Sequence, residues 1–394
     1  MTSTVFAASD SVSSKTFKEL TAIQTLMTED KKEEAFTQAN ALLEKIEAGS
    51  VDEALTLQTL GSIEMVRENY PKAIENLKAS LAVNKLPEGM VFNVGYMIAQ
   101  LYAAQDKFDE ALEFAAPWFE SIEEPKDSQY IFMANIFAQT KRYEESIPYA
   151  LKAIEISEKP SESWYQLVTA SYFELKQYKN SAKILKDMLE SWPEKPTYWE
   201  QLASVYMMLD DEWRALATLK LAFSQDILEK ESSIKSLLQL SVNRGIPEHG
   251  ARLLESAFSN ELIEENEDFL KLLAMALVAA KERDRAIDAY ERVAAVSESG
   301  EYWVSIANIY VEKAEWKSAE AALLKGLNGK LTLDSPGKAW LLLGVSQSEQ
   351  KKFKSAKKSF KKAVAFKKTE SSATRWLKYS EDMERQADWI AQNQ

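Results

Sequence analysis

The chain has 394 residues, of which 46% are hydrophobic and 28% are charged, and its formal net charge at pH 7 is −13. This composition is typical of a folded protein, and the negative charge disfavours nucleic acid as a partner, because phosphate binding requires a cationic surface. The absence of cysteine excludes disulfides and thiolate metal sites. No apolar run approaches the roughly 18 residues that span a bilayer, so we expect no transmembrane segment.

Residues 1–15 are predicted to form a flexible N-terminal leader. The first residues are small and polar, without the basic start and apolar stretch of a signal peptide. Val5, Phe6 and Ala7 nevertheless resemble the residues that precede a signal cleavage site. Two interpretations stay open, a mature exported chain and a cytoplasmic chain with a disordered leader.

Residues 16–370 contain about ten similar units, which are marked by one recurring small residue. It falls at Ala35, Ala73, Ala111, Ser146, Ser181, Ala215, Gly250, Ala286, Ala319 and Ala356. In the clearer units a second small residue stands 12 positions earlier, at Gly61, Ala99, Ala134, Thr169, Ala203, Ala274, Ala307 and Gly344. Two antiparallel helices cross closely only where small residues meet, so each unit is predicted to be a helical hairpin.

This register resembles that of tetratricopeptide repeats. The resemblance implies an all-α fold, an α-solenoid in which the hairpins form a right-handed superhelix and their first helices line a concave groove. Stacked hairpins complete one another's core, so the units are not separate domains. The units starting near Lys18 and at 237–257 are the most degenerate. Residues 371–394 are predicted to form a C-terminal capping helix, with an apolar face made by Trp376, Leu377, Met383, Trp389 and Ile390.

Several further segments resemble one group of repeat proteins more closely. They are residues 163–167 (SWYQL), 172–178 (YFELKQY), 198–202 (YWEQL), 244–247 (RGIP) and 373–379 (ATRWLKY). Together they are similar to the tetratricopeptide proteins encoded beside TonB, ExbB and ExbD in gammaproteobacteria. That resemblance implies a periplasmic protein that accompanies TonB-dependent uptake of iron or similar nutrients. The absence of a recognisable signal peptide departs from the pattern of that group, and a cytoplasmic location is the alternative.

The predicted binding surface is the concave groove, because the first-helix positions that face it carry amide and apolar side chains. Such side chains can bind a protein or an extended peptide. The candidate partner-binding residues are Asn93, Tyr96, Gln100, Ile131, Asn135, Gln166, Phe173, Glu200, Met207 and Asn308. A carboxylate clamp of the kind that binds chaperone tails is disfavoured, because Ile131 and Val304 occupy the positions of its lysines.

A lysine-rich segment near the C-terminus offers a second surface, for electrostatic docking to an acidic partner or an anionic lipid surface. Its candidate residues are Lys351, Lys352, Lys354, Lys357, Lys358, Lys361 and Lys362. The alternative is a solvated outer face of the last repeat, since lysine packs its stem along a helix while its ammonium stays in water.

The sequence favours a non-catalytic scaffold over an enzyme. His249 is the sole histidine and has no converging partner residue, so we expect it to lie on a helix surface. We expect no cofactor, no metal and no catalytic residues. The leading hypothesis is an adaptor that serves a TonB-type system. The alternatives are an envelope assembly factor acting through the lysine-rich end and a generic cytoplasmic adaptor, and the oligomeric state is left open.

Overall fold

The computed structural model describes residues 11–228 and 230–392, and all its regular secondary structure in these ranges is α-helical. The chain divides into two compact units, Met1–Trp192 and Pro193–Gln394. Unit 1 contains α1 (Ser14–Thr28), α2 (Lys32–Leu43), α3 (Val51–Val66), α4 (Tyr70–Ala82), α5 (Glu88–Ala103), α6 (Phe108–Glu120), α7 (Asp127–Gln139), α8 (Tyr143–Ile156), α9 (Glu162–Glu174) and α10 (Tyr178–Ser191). Unit 2 contains α11 (Pro196–Met208), α12 (Glu212–Ser224), α13 (Glu231–Asn243), α14 (Pro247–Ser259), α15 (Glu267–Ala279), α16 (Arg283–Val296), α17 (Glu301–Glu312), α18 (Trp316–Gly326), α19 (Pro336–Glu349), α20 (Phe353–Val364) and α21 (Glu370–Gln392).

The all-α fold of stacked hairpins is confirmed. Consecutive helices pair from α1/α2 to α19/α20, and each hairpin packs on the next one within its unit. The predicted leader lies mostly outside the described residues, as do Val5, Phe6 and Ala7, and α1 already begins at Ser14. None of the helices in the described ranges is long and apolar enough to cross a membrane.

The small residue of each second helix lies where the two helices of a hairpin cross, and it is buried in all ten hairpins. At Gly61 an added Cβ would come within 2.5 Å of Leu77 Cγ, and at Gly344 it would lie 2.4 Å from the Phe360 ring. Ser146 fits at this position because its hydroxyl donates to the Ala134 carbonyl at 2.7 Å. The spacing of 12 residues therefore reflects direct contact between the two helices.

Every hairpin turn contains one residue with a positive φ, five positions before the buried small residue. These residues are Asp30, Glu68, Asp106, Lys141, Lys176, Asp210, Gly245, Lys281, Ala314 and Lys351. The next residue donates its N–H to the carbonyl five positions back, as Arg142 does to Phe137 at 2.8 Å. This is the Schellman ending of a helix, which usually uses glycine. Here glycine stands in one of the ten turns.

The predicted apolar face of the last helix is split between two environments. In α21, Trp376 stacks on Phe360 of α20, with ring centroids 6.0 Å apart, and Met383 is half-buried. Trp389 and Ile390 in the last two turns of α21 are 66% and 42% exposed. The face therefore packs on the last hairpin along its first half only.

Candidate functional site

Three clefts lie along the first helices of the hairpins. The α1/α3/α5 cleft of unit 1 has a volume of about 740 Å³. In unit 2, the α11/α13 cleft has a volume of about 470 Å³ and the α17/α19 cleft about 420 Å³. Because second helices pack behind the first, the exposed rows of first-helix side chains are the surfaces that open into these clefts.

The α11/α13 cleft contains two of the predicted residues, Glu200 and Met207. The Glu200 carboxylate accepts hydrogen bonds from Lys230 Nζ and Ser233 Oγ, both at 2.6 Å. Met207 is 40% exposed and gives the cleft an apolar contact. Lys230 thus neutralises the charge of Glu200, so the cleft has no strong preference for anionic or cationic ligands.

Opposite these residues, α13 supplies a polar row that sequence reasoning missed. Its members are Ser232, Ser236, Gln239 and Asn243, which share one face of the helix. This hairpin is degenerate, so its first small position is not evident in the sequence. Gly250 could have revealed the row. Counting back 12 positions from Gly250 places Leu238 at the helix crossing, and this sets the register of the exposed positions on α13.

The α17/α19 cleft contains a third predicted residue, Asn308, which is exposed on α17 one turn beyond Val304. The wall facing them includes Lys338, Leu342 and Val345 of α19. Glu301 at the start of α17 accepts the backbone N–H groups of Asp334 and Ser335 at 2.8 and 3.2 Å. It therefore fixes the loop before α19 and is already hydrogen-bonded.

The remaining seven predicted groove residues lie in unit 1 and line none of these three clefts. Asn93, Gln100, Asn135 and Gln166 are exposed, Ile131 and Tyr96 are half-buried, and Phe173 is 40% exposed. Phe173 meets Tyr178 edge-on, with ring centroids 5.4 Å apart. These residues sit on the first helices α5, α7 and α9, as the register requires.

The half-buried Tyr96 side chain packs against two other aromatic rings. Its ring stacks on Trp118, with centroids 3.8 Å apart, and meets the edge of Phe132 at 5.2 Å. Burial raises the pKa of the Tyr96 hydroxyl, which the hydrogen bond with Gln100 partly offsets. One face of the Tyr96 ring is therefore covered by Trp118 and is not available to a partner.

The α1/α3/α5 cleft was not expected, because the first repeat looked degenerate. It is lined by apolar residues such as Phe17, Leu20, Met27, Leu55, Met65 and Met90, together with serine, threonine and glutamine. None of the residues that line it in the described part of the chain is charged. Phe17 is 60% exposed, so an apolar surface is presented to the cleft and to solvent.

The predicted docking lysines separate into two groups. Lys352 pairs with Glu320 at 2.6 Å, Lys357 pairs with Glu384, and Lys362 lies 3.9 Å above the Trp340 ring. Lys351, Lys354, Lys358 and Lys361 are exposed and lie on one face of the last hairpin. The first group therefore holds α20 against neighbouring helices, and the second points outwards.

The described residues contain no cluster of three or more His, Asp or Glu that could hold a metal ion. His249 is half-buried rather than freely exposed, and its Nε2 is buried without a hydrogen-bond partner. Burial, followed by the charge of Lys220, lowers the pKa of His249 below the usual histidine value. His249 lines none of the three clefts described above.

A family model for the tetratricopeptide repeat matches two segments of the chain, residues 130–160 and 337–369. The first covers α7 and α8 and the second covers α19 and α20. The chain carries tetratricopeptide repeats. These matches place such repeats in both units, and in each of the five hairpins between them the small residue of the second helix is buried as well.

Solved tetratricopeptide structures are similar to the chain at low identity. A tetratricopeptide repeat protein from Parabacteroides merdae is 17% identical, with 67% of this chain and 99% of that chain covered and a TM-score of 0.38. YrrB, described as having an unusual peptide-binding site, is 16% identical, with 50% and 99% covered and a TM-score of 0.38. The TPR2AB domain of yeast Sti1, in its complex with pHSP90, is 14% identical, with 65% and 98% covered and a TM-score of 0.31. No curated protein matches, and similarities this low support no argument about function.

Proposed function

We propose that this chain is a non-catalytic scaffold that binds extended segments of partner proteins in the clefts along its first helices. The observation that carries the proposal is the α11/α13 cleft, where two first helices present polar rows on either side of an apolar floor. Met207, Leu219 and Leu240 contribute to that floor. Peptide-binding grooves combine such apolar contacts with a few well-placed polar groups.

The polar row of α13 suits a peptide backbone. Hydroxyl and amide side chains both donate and accept hydrogen bonds, as peptide groups require. From Ser232 to Asn243 the row extends 11 residues, or about 16 Å along the helix, which equals roughly five residues of extended chain. Because the Glu200 carboxylate is satisfied by Lys230, the cleft recognises backbone and apolar side chains rather than charge.

The α1/α3/α5 cleft is expected to bind a different kind of peptide segment from the α11/α13 cleft. Its lining is uncharged and includes Phe17, Leu55 and Met65. A charged side chain would lose its hydration in this cleft without gaining an ion pair, so such side chains would be excluded. The scaffold would therefore hold an apolar segment in unit 1 and a more polar extended segment in unit 2.

A random peptide display library screened against the whole chain tests this function. Enriched peptides should bind the chain and lose binding when Ser236→Arg and Gln239→Arg fill the α11/α13 cleft. Gln225→Arg, at an exposed position after α12, adds the same type of charge outside the cleft and is the control. Failure to enrich any peptide, or binding that survives both cleft substitutions, would contradict a peptide-binding role for this cleft.

We further propose that the scaffold works in the periplasm as an accessory of a TonB-type uptake system. The support is the resemblance of segments 163–167, 172–178, 198–202, 244–247 and 373–379 to tetratricopeptide proteins encoded beside TonB, ExbB and ExbD. Purified periplasmic domains of TonB and ExbD should bind the chain, and Ser236→Arg with Gln239→Arg should weaken binding.

Fractionation of the native host tests the location separately. Recovery of the chain in the periplasmic fraction is expected. Recovery in the cytoplasm, with no binding to either purified domain, would replace this role with that of a cytoplasmic adaptor while leaving the peptide-binding proposal to its own test.

A further inference from the structure

Two helices of the molecule carry the same four-lysine pattern. Counted from the buried small residue, lysines stand five and two positions before it and two and five positions after it. In α10 and the turn before it these are Lys176, Lys179, Lys183 and Lys186, and around α20 they are Lys351, Lys354, Lys358 and Lys361. Each set of four is called a lysine stripe, and each stands on the last hairpin of its unit.

The lysine stripes face outwards. All eight side chains are exposed, and within the described ranges none forms an ion pair. In α20, the lysines that do bind neighbours, Lys352, Lys357 and Lys362, stand at other register positions. Each lysine stripe extends over ten residues, about 15 Å of helix. Four ammonium groups along such a line repel one another unless an anionic partner lies opposite.

The same register carries acidic residues two hairpins earlier in each unit. In unit 1 the acidic stripe consists of Asp106, Asp109 and Glu113, on α6 and the turn before it. In unit 2 it consists of Asp284, Asp288 and Glu291 on α16, while Lys281 occupies the first position of the register. All six are exposed, and Asp284 also binds Lys313 at 2.7 Å. The surface thus reverses its charge along each unit.

Between the two stripes of a unit lies one second helix with mixed outward positions. The two positions before the small residue are Lys141 and Glu144 at α8, and Ala314 and Lys317 at α18, whereas the two positions after it are uncharged. On α8 the two positions after the small residue are Pro148 and Leu151, and on α18 they are Ala321 and Leu324. Leu324 is 53% exposed. Because hairpins stack in chain order, α8 lies between α6 and α10, and α18 between α16 and α20. From α6 to α10 and from α16 to α20, the outer face therefore has an acidic stripe at one edge, a centre without a dominant charge, and a lysine stripe at the other edge.

We propose that this outer face is a self-association surface, on which the lysine stripe of one copy of the chain pairs with the acidic stripe of a second copy. A face with opposite charges at its two edges is self-complementary under a two-fold rotation, which brings each lysine stripe against an acidic stripe. An anionic lipid surface fits less well, because the acidic stripe of the same face would be pressed against it. This surface lies on the second helices and leaves the clefts of the first helices open.

Sedimentation velocity of the whole chain at low and high salt tests the proposal. Association that strengthens with protein concentration and weakens with salt is expected, since exposed charges are screened beyond a Debye length of about 8 Å at physiological salt. Lys179→Glu with Lys183→Glu should reduce the association constant several-fold, and Asp109→Lys with Glu113→Lys should do the same. An equimolar mixture of these two variants should associate more tightly than either alone, because only the mixed pair sets an unchanged lysine stripe of unit 1 against an unchanged acidic stripe of unit 1.

Lys15→Glu with Lys18→Glu makes the same charge change at exposed positions of α1 and is the matched control. It should leave association unchanged, and circular dichroism should show that all variants keep their helix content. A chain that stays monomeric at every concentration and salt level overturns the proposal, as does a mixture that associates no better than its components. Binding of the monomer to vesicles of anionic lipid, lost with Lys179→Glu and Lys183→Glu, would overturn it in favour of a membrane surface.

Discussion

Unit 1 and unit 2 are built from the same hairpin, but α5–α8 of unit 1 and α14–α18 of unit 2 are connected by different interactions. In unit 1 a continuous aromatic cluster joins α5 to α8, in which Trp118 contacts Tyr96, Phe119 and Phe132 and Phe119 contacts Tyr149. In unit 2 charged pairs connect successive hairpins. Arg285 binds Glu255 at 2.6 Å and Glu248 at 3.4 Å, and Lys313 binds Asp284 at 2.7 Å.

This difference shows that the hairpin constrains residue size at the helix crossing but not the type of contact between hairpins. The crossing of the two helices demands small residues in both units, whereas the contacts between hairpins can be aromatic or ionic. Aromatic packing is insensitive to salt and pH, while exposed ion pairs respond to both. The two units should therefore differ in how their stability depends on conditions.

The largest effect is expected from removing the centre of the aromatic cluster. Trp118 is 4% exposed, so Trp118→Ala should lower the free energy of unfolding by about 3–5 kcal/mol through lost contacts and a cavity. Hydrogen exchange resolved along the whole chain should place the loss in unit 1. The matched control is Trp213→Ala in unit 2, where the ring is 51% exposed and should contribute little. Equal losses for both variants would contradict the special role of the cluster.

The next effect tests the feature that the units share. Gly61→Ala in unit 1 and Gly344→Ala in unit 2 each add a Cβ within 2.5 Å of a buried side chain, and each should cost about 1–2 kcal/mol by overpacking. Denaturant unfolding measures both. Gly89→Ala, where nothing lies within 4 Å of the new Cβ, should instead be neutral or stabilise by up to about 1 kcal/mol through helix propensity. A gain in stability at Gly61 or Gly344 would show that the helices cross less closely than described.

Acid should weaken unit 2 at Glu320. Burial raises the pKa of Glu320, but hydrogen bonds from Lys352, Gln347 and Gln350 outweigh burial and hold that pKa below its ordinary value. A carboxyl with a lowered folded pKa stabilises the fold above its unfolded pKa, and this contribution is lost as the pH falls through the folded value.

The free energy of unfolding measured from neutral pH into the acid range should therefore fall less steeply in Glu320→Gln than in the unchanged chain. Glu110→Gln makes the same substitution at an exposed position of α6 in unit 1 and should leave the slope unaltered. Identical slopes in the unchanged chain and Glu320→Gln would remove Glu320 as a source of acid sensitivity.

Salt should give the smallest effect, because exposed ion pairs contribute little each. Raising the sodium chloride concentration should lower the hydrogen-exchange protection of α14–α18 while leaving α5–α8 unchanged, at protein concentrations where the chain is monomeric. Arg285→Gln should abolish part of the salt response, since Arg285 joins Glu248 and Glu255. A uniform salt response in both units would mean that the ion pairs of unit 2 do not distinguish it.

Much of the fold could be predicted from the sequence, because the hairpin crossing imposes a local rule on residue size. Every second-helix position identified from Ala35 to Ala356 is buried. The candidate site was predicted less well. Glu200, Met207 and Asn308 do line clefts, but the α1/α3/α5 cleft was missed because the first repeat departs from the consensus. Exposed positions obey no size rule, so a repeat pattern cannot show which of them surround a common space.

The sequence by itself determined the class of fold, the register of its hairpins and the absence of cysteine chemistry, since these follow from spacing and composition. The tertiary structure decided which exposed residues act together. It paired Lys357 with Glu384 and placed Lys362 over Trp340, although both read in the sequence as part of one lysine run. It also covered one face of Tyr96 with Trp118. The physical reason is that spacing along a helix fixes the direction of a side chain, whereas its partner comes from another helix whose position depends on packing.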